Sequence, residues 1–136
     1  MEQNFTEQEL AERIKGGYQQ AEEVLREDKF EKLISKLEEK LKLIPKIGEQ
    51  LSHLPIMIAM VRSYIKKEYT EIPLGTILAV ISTIIYFVNP IDLIPDTIPV
   101  IGHADDVALF TVCLALIDSD VKDYKKWRDE ANEKAQ

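Results

Sequence analysis

Four aspartates and one histidine fall within fifteen residues: Asp92, Asp96, His103, Asp105 and Asp106. Carboxylates this dense suit two kinds of chemistry. Oxygen-rich sets with at most one imidazole hold hard cations such as Mg²⁺, Mn²⁺ or Ca²⁺ better than zinc. Close carboxylate pairs can also divide acid and base work if their environments split their pKa values. The spacing argues against both. It matches neither an EF-hand calcium loop nor His-Glu-x-x-His. Pro95 also spoils a regular helical presentation of Asp92 and Asp96. The chain has no Gly-x-Ser-x-Gly and no glycine loop to cradle phosphate. No catalytic residue is assigned and no cofactor is expected. A divalent cation on Asp92, Asp96, His103, Asp105 and Asp106 is the alternative.

Local structure accounts for the same residues without a ligand. Asn89 suits a helix cap, with Pro90 at the first position and Asp92 at the third, where it can bond back to the cap amide. Asp96 after Pro95 suits a tight turn. Gly102 suits a positive φ. Asp105 and Asp106 suit the first turn of a following helix, where anions offset the macrodipole.

The elements that must position this loop read as helices. Thr6 and Glu9 form a capping-box pattern. Leu10, Ile14, Tyr18, Ala21 and Leu25 then recur every three or four residues, with a weak spot at Gly16-Gly17. Asp28 marks a break. A second stripe, Phe30, Leu33, Ile34, Leu37, Leu41 and Ile44, stops at Pro45. A third, Ile47, Leu51, Leu54, Ile58, Val61 and Ile65, is interrupted near Ser52 to Leu54 by Pro55 and ends in Lys66-Lys67. Ile72 to Ile91 is twenty residues without a charge, with Pro73 in a predicted first turn. Its length excludes a single strand. After the loop 89–103, an apolar helix is predicted over Val107–Ile117. Asp118-Ser119-Asp120 predicts a break and new cap. Val121, Tyr124, Trp127 and Ala131 are the predicted inward face of a last helix.

The chain of 136 residues is the size of one domain. Its fold class is expected to be all-α: five to six helices around a central apolar hairpin, joined by the Pro/Asp-rich loop. Cys113 is the sole cysteine and is expected in the core, and His53 is expected at the surface. The net charge of −7 disfavours nucleic acid as a partner. Met1 to Gln20 shows no apolar leader and neither end a lipidation signal, so a cytosolic start is expected.

Tyr86, Phe87, Pro90, Asp92, Pro95, Asp96, Pro99, Gly102, Asp105 and Asp106 form a long ordered motif. On these residues the chain resembles the YkvA-like family of small bacterial-type helical domains. The resemblance covers roughly residues 58–127, with Val61–Tyr69 and the Tyr124/Trp127 pair fitting its looser pattern. Residues 1–50 lie outside it and are expected to pack on the 51–136 domain as one unit. The resemblance implies no reaction, and it implies a location, since family members are often regarded as membrane-associated.

Membrane association through 72–91 stays open at this point, with the N-terminus in the cytosol. Twenty uncharged residues can span a bilayer, rest at its surface, or form a buried core helix. The core reading is preferred, because the amphipathic helices need an apolar partner. The expected function is a non-enzymatic interaction or scaffold module with an unidentified protein partner. Its partner surface is expected in the loop 89–106 or in an apolar groove beside it. The motif residues, Asn89 among them, then serve structure or partner binding.

Overall fold

The computed structural model describes residues 6–43, 52–88 and 103–135. The described residues form six α-helices and no strand. They are α1 (Glu7–Gly16), α2 (Tyr18–Arg26), α3 (Phe30–Leu43), α4 (Leu54–Ile65), α5 (Leu74–Val88) and α6 (His103–Ala135). The all-α expectation holds.

Helix α5 is the centre of the fold. Thr76 to Phe87 are all buried, and each of the other five helices packs against α5. The uncharged run is therefore wrapped by the stripes predicted to need a partner: Leu10 and Ile14 from α1, Ala21 from α2, and Phe30, Ile34 and Leu37 from α3. Such burial removes the apolar side chains from water at ~25 cal/mol per Å². No helix among the described residues is long and apolar enough to cross a membrane.

The breaks have local causes. Thr6 caps α1 reciprocally with Glu9: the Glu9 N–H donates to Thr6 Oγ1 at 3.1 Å and the Thr6 N–H to Glu9 Oε1 at 3.2 Å. At Gly17 the chain turns between α1 and α2. The Ile14 carbonyl at that turn accepts from the Gly17 N–H at 3.1 Å and from Ser82 Oγ of α5 at 2.5 Å. A polar residue in the apolar core helix thus satisfies a carbonyl at a helix end.

Helices α2 and α4 both finish in Schellman turns. After α2, Lys29 N–H reaches Val24 O at 2.9 Å and Asp28 N–H reaches Leu25 O at 3.3 Å. After α4, Glu68 N–H reaches Ser63 O at 2.9 Å and Lys67 N–H reaches Tyr64 O at 3.1 Å. The left-handed position belongs to Asp28 (φ 55°) in the first and Lys67 (φ 63°) in the second. Glycine is usual there. Aspartate tolerates this conformation, whereas lysine has no local hydrogen bond to offset a cost of about 1–2 kcal/mol.

Three expectations are corrected. Asp118-Ser119-Asp120 neither breaks nor caps a helix, because α6 continues through them to Ala135. The apolar stripe Leu109, Cys113, Ile117, Val121, Tyr124 keeps helical spacing across the three polar residues, and its burial outweighs their poor propensity. The Asp118 carboxylate also pairs with Lys122 at 2.9 Å. Ala131 is exposed, since α6 has by then run past its partners. Pro73 precedes Leu74 as a cap whose carbonyl accepts from Thr76 N–H at 3.0 Å and Ile77 N–H at 3.4 Å. Pro55, by contrast, stands in the first turn of α4, so it opens a helix. His53 is exposed and Cys113 fully buried, as expected. The stretch around Ile44, Pro45, Ile47 and Leu51 lies outside the described residues.

Candidate functional site

Helices α5 and α6 form an antiparallel hairpin whose register is set by three contacts. Phe87 meets Phe110 edge-on with ring centroids 5.4 Å apart. Cys113 Sγ lies 3.6 Å from the Ala79 carbonyl. Thr76 Oγ1 donates to Asp120 Oδ2 at 2.5 Å. The expected central hairpin is thus present, with α6 extending beyond the start of α5.

The motif divides between this hairpin and residues outside the description. Tyr86 is 1% exposed and Phe87 0% exposed at the end of α5. Arg13 Nη1 of α1 donates to the Tyr86 hydroxyl at 3.2 Å. The Lys40 ammonium of α3 lies 4.5 Å from the centre of the Phe87 ring and also donates to the Phe87 carbonyl. Two N-terminal helices therefore clamp the end of α5. Lys40 meets a carbonyl in the last turn of α5, where helices leave acceptors unsatisfied. The sequence motif marks Tyr86 and Phe87, but nothing local pointed to Arg13 or Lys40, which lie 73 and 47 residues away.

Asn89, Pro90, Asp92, Pro95, Asp96, Pro99 and Gly102 lie outside the described residues. The backbone of His103, Asp105 and Asp106 forms the opening turn of α6, two residues earlier than the paired aspartates predicted, and their side chains are outside the description. Among the described residues, no three His, Cys, Asp or Glu side chains are grouped to hold a metal ion.

The opposite end of α5, about 20 Å away at 1.5 Å per residue, has its own architecture. Tyr69, Tyr124 and Trp127 stack in a cluster with centroid separations of 4.9 to 5.7 Å. Ser63 and Tyr124 share a buried hydroxyl hydrogen bond of 2.8 Å. Burial, then the carboxylates of Asp123, Glu71 and Asp120, push the Tyr69 hydroxyl above its ordinary pKa. An open groove of about 610 Å³ is lined by the ends of α2 and α4 and the start of α5. Leu25, Tyr64, Ile65 and Leu74 form its apolar wall. Leu74 is 47% exposed, unusual for a large apolar side chain in this protein. Lys67, a cation just past the end of α4, stands on this groove, a placement that no local sequence signal carries.

A buried apolar helical hairpin, with the Tyr86-Phe87 pair at one end, defines a small all-α protein. Comparison places it more narrowly. Residues 76–112, which run from α5 into α6, match the model of a family described as a protein of unknown function (DUF1232). The chain is 32% identical over 78 residues to "Uncharacterized membrane protein YkvA" of Bacillus subtilis (strain 168), covering 57% of this chain and 74% of that protein. The chain belongs to this YkvA-like family. No solved structure matches it.

Proposed function

We propose that this protein is a non-enzymatic helical scaffold module that works at a membrane surface without inserting its apolar helix. The observation that carries the reading is the burial of α5. Its residues from Thr76 to Phe87 are already enclosed by the protein's own helices. Inserting α5 into lipid would strip five helices of the surface they cover. The relative's printed name supports the membrane as the place of work. The partner surface is assigned to 89–106, which departs from the Tyr86-Phe87 anchor and returns in α6.

Fractionation of the untagged full chain tests this. The protein is expected with membranes at low salt and in the supernatant after a carbonate wash. Retention in the pellet after carbonate would mean that the apolar run is inserted in lipid. A protein in the supernatant throughout would remove the membrane from the proposal.

A further inference from the structure

We propose that the groove bounded by Leu25, Tyr64, Ile65 and Leu74 seats an acyl chain of an anionic phospholipid, with Arg26 and Lys67 holding its phosphate. The inference rests on the membrane-surface reading above and specifies the face and lipid class. The groove joins two features seldom left together on a water-facing surface. Its wall is apolar and includes the half-exposed Leu74. Its charged rim is Arg26 and Lys67, with Glu22 the sole acid among the lining residues. The protein as a whole carries −7, so a basic rim here runs against the overall charge. An anionic headgroup complements that rim, and a hydrocarbon chain complements the wall.

The backbone supplies a second, independent argument. Lys67 occupies the left-handed position of a Schellman turn, where glycine would fit without strain. Neither Lys67 nor Arg26 takes part in an ion pair or side-chain hydrogen bond among the described residues. Among the described residues, the strained position is therefore not repaid by an ion pair or hydrogen bond of the lysine head. Strain held at one residue is a pointer to a role outside folding.

The test is vesicle flotation with the full chain. Vesicles of phosphatidylcholine alone are compared with vesicles containing about 30% phosphatidylglycerol. Wild type is expected to float with the anionic vesicles at least fivefold more than with the neutral ones. Lys67→Gly and Arg26→Gln should each lower that partitioning about fivefold. Lys36→Gln, which removes the same charge from an exposed site on α3, should change it less than twofold. Lys67→Gly should also melt no lower than wild type, and up to about 4 °C higher, because glycine relieves the left-handed strain. A binding loss without a stability loss separates a lipid contact from a folding role. If wild type floats but Lys67→Gly and Lys36→Gln behave alike, the groove is not the site and the membrane reading survives. Equal flotation on both vesicles overturns the anionic headgroup. If wild type floats with neither, the inference and the membrane reading fall together.

Discussion

Replacing Phe87 tests whether the buried Tyr86-Phe87 pair is a structural anchor. The ring is fully buried, stands edge-on to Phe110 at 5.4 Å and lies under Lys40 at 4.5 Å. Truncating a core phenylalanine to alanine costs ~3–5 kcal/mol through lost transfer energy and the cavity left behind. The aromatic pair adds about 1 kcal/mol and the cation over the ring ~0.5–1 kcal/mol, part of which is already counted in that truncation. Phe87→Ala is therefore expected to cost about 4 kcal/mol, a large share of the ~5–15 kcal/mol that holds a domain of this size. Phe87→Leu keeps most of the volume and should lose only the ring-specific part, about 1–2 kcal/mol. Urea unfolding followed by circular dichroism reads both. With a slope of ~2 kcal/mol per molar, the midpoint should fall by about 2 M for alanine and by ~0.5–1 M for leucine. A shift below about 0.5 M for Phe87→Ala with an unchanged slope would refute the anchor. Phe87 would then be tolerated as a surface residue is, and its place in the motif would need another cause.

Two further outcomes follow from the hairpin. Thr76→Val should cost ~1–2 kcal/mol, because it leaves the Asp120 carboxylate without its 2.5 Å donor. Adding Asp120→Ala should then cost little more, which a double-mutant cycle in urea would register as strong coupling. Burial pushes the Cys113 thiol up from 9.0 to about 11 against a smaller opposing hydrogen bond with Thr83. The unfolded thiol ionises first, so the thiol's contribution is intact below about pH 9 and is lost as pH rises toward 11, ~2–3 kcal/mol in all. Comparing wild type with Cys113→Ala between pH 8 and 11 isolates this slope. Parallel curves would show that the thiol is more accessible than its 0% exposure implies.

How much of this was legible in advance varies with the range of the interaction. The capping box at Thr6, the breaks at Gly17 and Asp28, and the stripes from Leu10 to Leu37 are set by residues three or four apart. Those signals survive folding because they act within one turn. The Tyr86-Phe87 motif was visible as a pattern, though its clamp was not. Arg13 and Lys40 reach it from helices whose docking is a tertiary event. The same reason explains the failure at Asp118-Ser119-Asp120. Local propensity favoured a break there, and the buried stripe from Leu109 to Tyr124 overrode it.

The amino-acid order alone determined that the chain is helical, where most helices start, and which faces are apolar. It left Ile72–Ile91 undecided, because a core helix and a membrane span share one composition. Only the tertiary structure placed Thr76–Phe87 in the core: five other helices supply the apolar surface that lipid would otherwise supply. Only the same packing brought the ends of α2 and α4 beside Leu74, so that Arg26 and Lys67, 41 residues apart in sequence, stand on one groove. Helical period can be read within a few turns, whereas the meeting of distant helix ends is fixed by the shape of the core they share.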